Sequence, residues 1–445
     1  MSPSEKYTQP VRSRSQRIGL LFFFPGFIIA LIGALGAGSI YPKTFFSTSL
    51  CFITIGSLLY FSAVYLSAPA GIRNNRIMFD SISSRGSIGF ISALFFIAFY
   101  ILMYWFPFYL EHFIAMFHPL SRMLRGKPAE QYFMYGSLYT FAIIIMGVRA
   151  LMKYRHSRYQ IARTCVVIFS QLVFAFLIPS ILAAFNEPEK YVNYFWPLSY
   201  KDLFPSNVNY LLNFEGAISK FLLAWTILLT FVGTPVLTFF FGKRWYCSWI
   251  CGCGGLANTL GDPWRQLSSK TLASWKIERY SIYSVLSLIV ITTAILWLNH
   301  LFGGELLGQL SGGFIRFYGF AIGMIFAGVI GTGLYPIFGT RVWCRFGCPQ
   351  AALLGIIQRF FSRFRITTNG AQCMSCGNCS TYCEMGIDVR WYAQRGQNIV
   401  RASCVGCGMC SAVCPRGVLN LENGPLAGRI KSDALPLIKS FKSGI

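Results

Sequence analysis

Long apolar runs separated by short polar loops fill the chain from Ile18 to about Phe338; beyond that the runs shorten and are broken by glycine, proline and cysteine. A stretch of roughly 20 apolar residues, rising 1.5 Å per residue as a helix, crosses a hydrocarbon core about 30 Å thick. Eight such stretches are present: Ile18–Ile40, Thr44–Ser67, Ser87–Phe108, Tyr132–Leu151, Ile161–Phe185, Phe221–Phe241, Tyr280–Phe302 and Phe314–Phe338. They predict eight transmembrane helices. Lys6, Arg12, Arg14 and Arg17 precede the first, but its apolar part is too long for a signal-peptide core and no small-residue cleavage site stands out. It is expected to remain as an anchor.

Composition agrees with this pattern. Of 445 residues, 54% are hydrophobic and only 12% charged, which excludes an ordinary water-soluble enzyme. The formal net charge of +24 would suit nucleic acid or lipid phosphates. No groove-reading helix or base-stacking platform accompanies it, so the expected partner is membrane lipid and not nucleic acid.

Because Lys and Arg collect on the cytoplasmic side, the loops orient the chain. The N-terminal tail, the loop with Arg73, Arg76 and Arg85, the loop with Lys153, Arg155 and Arg158, and the loop with Lys243, Arg244, Arg265, Lys270, Lys276 and Arg279 all fall on one face, predicted to be cytoplasmic. The loop from Asn186 to Glu215 leans acidic and suits the other face. The loop with Arg122, Arg125 and Lys127 breaks the rule by falling on that other face too. Eight spans return the C-terminal tail to the cytoplasm, and a bacterial inner membrane is the expected location.

Of 15 cysteines, 8 lie beyond residue 372 in two compact runs. Cys373, Cys376, Cys379 and Cys383 form C-x2-C-x2-C-x3-C, and Cys404, Cys407, Cys410 and Cys414 repeat it before Pro415. This is bacterial ferredoxin spacing, in which the fourth cysteine ligates the other cluster. Cys373, Cys376, Cys379 and Cys414 are thus expected to hold one 4Fe-4S cluster, and Cys404, Cys407, Cys410 and Cys383 a second. Structural zinc ribbons use two separated pairs instead. Glu384 stands where a proline is expected after Cys383. The predicted fold class is an α-helical polytopic membrane protein carrying a small α+β bacterial-type ferredoxin domain at its cytoplasmic C-terminus.

Two further pairs lie where spans six and eight end. Gly242-Lys-Arg-Trp-Tyr-Cys247-Ser-Trp-Ile-Cys251 overlays Gly339-Thr-Arg-Val-Trp-Cys344-Arg-Phe-Gly-Cys348 without a gap. Residues four apart share a face if the segment is helical. Both spans run the same way, so a parallel repeat about the membrane normal can bring Cys247, Cys251, Cys344 and Cys348 together. Three readings stay open for these four thiols: apolar packing, a dithiol or copper-type site, or a third iron–sulfur cluster. Cys253 is a spare thiol beside the first pair, and Cys51 and Cys165 read as core. Lys243, Arg244, Arg341 and Arg345, with Trp245, Tyr246, Trp249 and Trp343, read as interfacial anchors.

From about Phe221 to Asn420 the chain resembles the NapH/NosR/CcoG group of membrane polyferredoxins, in which two C-x3-C-P motifs border transmembrane helices and two ferredoxin motifs follow. Cys344-Arg-Phe-Gly-Cys348-Pro349 matches that motif fully, whereas Cys251 is followed by Gly252. The resemblance implies electron transfer between a cytoplasmic donor or the quinone pool and a redox partner at or beyond the membrane, with quinone as a further cofactor. Likeness to CcoG adds an alternative, thiol-dependent reduction of a metal such as copper. A non-enzymatic scaffold or redox sensor is the third reading. The expected division is a basic tail (1–17), an N-terminal membrane region (18–185), an outer loop (186–220), a membrane core with the C-x3-C pairs (221–350), a linker (351–372), the ferredoxin domain (373–420) and a C-terminal tail (421–445).

Other chemistries lack their residues. No G-x-x-x-x-G-K-S/T phosphate loop is present. Gly252-Cys-Gly254-Gly-Leu-Ala257 fits the dinucleotide pattern but follows a membrane helix, not a strand. His112, His118, His156 and His300 lie at differing levels in or near loops, so a bis-histidine haem is not expected, nor is a covalent flavin. Charges inside the spans are scarce, and Arg163 and Arg316 near span ends are expected to snorkel.

Overall fold

A computed structural model describes residues 13–66, 86–303 and 310–426. Lys6, Arg12, the loop with Arg73, Arg76 and Arg85, and the tail beyond Leu426 lie outside the described residues.

Among the described residues, eight helices are long and apolar enough to cross a membrane: Arg14–Ile40, Pro42–Tyr65, Ser87–Trp105, Gln131–Lys153, Arg158–Ala184, Ala217–Phe241, Leu272–Leu301 and Leu310–Ile330. Their outward faces expose large apolar side chains such as Leu21, Leu94, Phe221 and Phe317, a surface suited to lipid. The architecture is that of a multi-pass membrane protein.

Boundaries shift where backbone chemistry overrides hydropathy. Span three stops at Trp105, ahead of Pro107. Span seven starts at Leu272, before its expected apolar run, because the Thr271 side chain caps the helix by accepting from the Ser274 N–H. Span eight ends at Ile330, and a turn then leads into a short helix, Tyr335–Phe338. Spans six and eight both widen into π-helical turns, Leu229–Gly233 and Gly319–Ile330, before reaching their cysteine motifs.

The loop that broke the charge rule is neutralised locally. Arg125 is buried between Glu130, at 3.0 Å, and Glu189, and Lys127 reaches Glu189 at 2.6 Å. The exceptional cations and the acidic loop therefore share one face of the bundle.

Residues 351–372, expected to be a linker, instead hold most of a helix, Pro349–Phe360, and strand β1, Phe364–Thr368. Strand β2, Leu419–Asn423, pairs antiparallel with β1, placing Ile366 opposite Leu421. Between the strands lie the two cysteine runs, each closing on a short helix, Asn378–Thr381 and Met409–Ala412. This domain is not a loose appendage: one buried core contains Cys247, Cys251, Cys344 and Cys348 together with Cys379, Cys404, Cys410, Ile366 and Leu419.

Candidate iron–sulfur centres

In each ferredoxin run a glycine in the left-handed region bends the chain between cysteines: Gly377 at φ 80° and Gly408 at φ 72°. Cys373, Cys376, Cys379 and Cys414 line one cavity, and Cys383, Cys404, Cys407 and Cys410 line another. Each quartet thus draws its fourth thiol from the other run. Cys376 is exposed, so the first quartet lies near the surface, whereas Cys404 and Cys410 of the second are buried. Burial pushes the Cys404 thiol up to about 12 and Cys407 up to about 11. Unliganded, these thiols stay protonated, and ligation to iron would displace the protons.

The loop carrying the second quartet is gripped by the membrane body. Tyr159 donates to the Gly406 carbonyl at 2.8 Å, Ser248 to Val405 at 2.6 Å, Gln358 to Cys404 at 2.7 Å, and Gln160 and Arg163 to Cys407 at 2.9 and 2.8 Å. Arg163 therefore does not snorkel; it is 1% exposed and turned inward. Arg316 stays near the surface and donates to the Gly312 carbonyl one turn away.

The two C-x3-C segments share one backbone path. Gly242 and Gly339 open them with φ of 68° and 91°. A short helical stretch follows, Trp245–Ile250 or Val342–Phe346, and then Cys251 and Cys348 adopt extended conformations as the N-caps of new helices, Gly252–Asn258 and Pro349–Phe360. The condition for a shared helical face is not met, because the helix breaks between the two cysteines of each pair. Consequently the second thiol of each pair faces backbone N–H groups, as Cys348 Sγ does by accepting from Ala351 at 3.4 Å. Gly252-Cys-Gly254-Gly-Leu-Ala257 makes up nearly all of one such helix, Gly252–Asn258. A side chain at Gly255 would meet Val167 at 2.8 Å, so the glycines serve close packing.

All four motif thiols are buried within electrostatic reach of one another. Burial pushes Cys247 up to about 12, against the pull of Lys243. Cys253 hydrogen-bonds Cys251 and, with nearby backbone N–H groups, draws Cys251 down to about 7 despite burial, while Cys253 itself is driven up. Among the described residues no three His, Cys, Asp or Glu groups converge as they would on a single metal ion. The ferredoxin quartets surround cavities instead.

Around these thiols lies a buried charge lattice that the sequence did not disclose. Lys243, Arg341 and Arg345, expected as exposed anchors, are 1%, 1% and 3% exposed. Arg341 donates to the Cys247 carbonyl at 3.1 Å and lies 3.6 Å from Cys344 Sγ. Glu384, the residue in the proline position, is fully buried and pairs with Arg265 at 2.6 Å and Arg341 at 2.9 Å. Burial would raise its carboxyl, but Arg265, Arg341 and Arg163 outweigh burial and hold it down to about 2. Asp262 takes Arg149 at 3.1 Å, Lys153 at 2.6 Å, Arg265 at 3.3 Å and the Tyr154 hydroxyl at 2.6 Å. One sequence signal pointed here, the glutamate that stands in place of proline after Cys383.

Charge balance tests whether iron–sulfur clusters suit these residues. Near the second quartet and the C-x3-C thiols, seven buried cations (Arg149, Lys153, Arg163, Lys243, Arg265, Arg341 and Arg345) face three buried carboxylates (Asp262, Glu278 and Glu384). Lys243 makes no ion pair among the described residues; its ammonium reaches only the Ala402 carbonyl at 3.2 Å. Unpaired buried cations cost several kcal/mol each. Two four-thiolate clusters, carrying roughly two negative charges apiece, offset an excess of this size. The residues fit the groups.

Residues 223–271 and 318–367 match the 4Fe-4S binding domain, and residues 372–419 match the 4Fe-4S dicluster domain. Both halves of the repeat and both ferredoxin runs fall inside these matches. The chain carries 4Fe-4S binding domains. It is 27% identical over 157 residues to "Putative electron transport protein YccM" of Escherichia coli (strain K12), covering 33% of this chain and 43% of that protein. To an uncharacterized protein of Methanocaldococcus jannaschii it is 26% identical over 183 residues, covering 40% of this chain and 67% of that protein. The alignment thus spans less than half the length of the first relative. No solved structure matches.

Proposed function

We propose that this protein is a membrane-bound iron–sulfur electron carrier with three 4Fe-4S clusters. Cys373, Cys376, Cys379 and Cys414 hold the outer cluster. Cys383, Cys404, Cys407 and Cys410 hold the middle one, and Cys247, Cys251, Cys344 and Cys348 hold a third at the membrane edge. Each cluster, when bound, takes up and releases one electron at a time. The buried cation excess carries this reading, because four neutral thiols would leave seven buried cations facing three buried carboxylates, with Lys243 lacking an ion pair among the described residues. The 4Fe-4S match over both C-x3-C segments and the resemblance to the NapH/NosR/CcoG group support it.

The residues around the clusters supply position and electrostatics. Ser248, Gln160, Arg163 and Gln358 fix the middle loop against the membrane body. Arg341 touches the backbone of one C-x3-C segment and the thiol of the other, and its ion pair with Glu384 ties both to the residue that follows Cys383. The exposed quartet faces a soluble redox partner, and the membrane-edge quartet faces the quinone pool or a membrane partner. The ferredoxin domain lies in the cytoplasm of a bacterial cell, on the side of the positive loops.

Anaerobically purified protein tests the role directly. Addition of a reduced soluble ferredoxin or of a quinol is expected to bleach the visible iron–sulfur absorption. Intact clusters whose spectrum answers to neither would contradict it.

A further inference from the structure

Between the start of span seven, the Pro349–Phe360 helix and the ferredoxin domain lies a cavity of about 830 Å³, within the range of small-ligand sites. Its inner wall includes Cys344 and Met385, and Ile282, Ala351, Ala352 and Ile356 make one side apolar. The lining also carries cations. Arg279 and Arg401 stand over the Trp275 ring, their guanidinium carbons 5.1 and 5.0 Å from its centre. Neither makes an ion pair among the described residues; Arg401 donates to the Tyr392 hydroxyl at 3.0 Å. Glu278, the carboxylate in the lining, is already taken by Arg345 at 2.6 Å. Unlike the buried lattice around the thiols, these two cations face the cavity from its accessible side and have no thiolate to answer them.

We infer that this cavity binds a phosphate-bearing amphiphile. Guanidiniums are the preferred donors to phosphate oxygens, and the apolar lining residues accept a ring or acyl chain. A neutral ring alone would leave both guanidiniums without an anion. Two sources share the required chemistry: the headgroup of an acidic phospholipid, given that the cavity adjoins the first turns of a membrane helix, and a soluble aromatic phosphate such as flavin mononucleotide. Either would lie against the Cys344 wall and shut water out from that side. The site borders the membrane-edge quartet at Cys344, but its test reads ligand binding alone and does not depend on which cofactor that quartet holds.

The test uses full-length protein in detergent, titrated with flavin mononucleotide, phosphatidylglycerol, phosphatidylcholine or a short-chain quinone. Native mass spectrometry counts the bound molecules, and quenching of tryptophan fluorescence follows the affinity. One phosphatidylglycerol or one flavin mononucleotide per chain is expected, in preference to phosphatidylcholine. The double variant Arg279→Gln/Arg401→Gln should weaken that binding about tenfold or more. Ile356→Trp, which fills the apolar side and keeps the charges, should weaken it independently, with unchanged iron content showing that both variants are folded. Saturation by phosphatidylglycerol assigns the site to the membrane, and saturation by flavin mononucleotide assigns it to a soluble ligand. Binding of neither above the phosphatidylcholine level overturns the inference. So does binding that both variants leave intact, or a quinone that binds tighter than either phosphate and ignores the arginines.

Discussion

Glu384 shows how much one side chain governs here. Its carboxylate is sealed from water and joins Arg265 to Arg341 directly beside Cys383. Removing one partner of a buried pair leaves an uncompensated charge and costs about 3–5 kcal/mol. Glu384→Gln is therefore expected to lower the temperature at which the iron–sulfur absorption is lost on heating, with the middle cluster failing first. Asp262 gives a pH-dependent counterpart. Burial pushes its carboxyl up, but Lys153, Arg149 and Arg265 pull it far below the usual range. A depressed carboxyl stabilises fully above its unfolded value, about 3.9, and that stabilisation is lost as pH falls through the folded value. The stability gap between wild type and Asp262→Asn should stay constant from about pH 7 to pH 5 and narrow only below about pH 4, as thermal unfolding at several pH values would reveal.

At the scale of elements, the repeated turn explains how two helix ends present matching thiols. Gly339 sits at φ 91°, where an added side chain would press on the Ser268 backbone nitrogen at 2.7 Å; Gly242 sits at φ 68° against Gln358 and Phe364 at 2.7 Å. Alanine at either position should cost about 1–3 kcal/mol. Gly339→Ala is expected to deplete iron at the membrane-edge site before the ferredoxin clusters, seen as a loss of roughly four irons per chain. The spans themselves were legible because an unbroken apolar run has few other uses. The break inside each C-x3-C was not, because hydropathy is blind to a cysteine serving as an N-cap. The same blindness hid the early start of span seven, where Thr271 caps a helix whose first turns carry Lys276 and Arg279.

Over the whole molecule, membrane body and ferredoxin domain share one core, which fixes the spacing between quartets instead of leaving it to a tether. Cysteine spacing anticipated which thiols line each of the two cavities in the ferredoxin domain, the fourth of each coming from the other run. Arg163, Lys243, Arg341 and Arg345 were misread as surface cations because a basic residue at a helix end looks the same in sequence whether it meets lipid phosphate or a buried anion. That distinction depends on long-range packing, which brings residues about 100 to 240 positions apart into contact. The most direct test of the three-cluster assignment is iron and sulfide content, with electron paramagnetic resonance, on anaerobically purified wild type beside a Cys247→Ser/Cys344→Ser double variant. About twelve irons in the wild type and about eight in the variant are predicted. About eight in both, or zinc in place of iron, would contradict it.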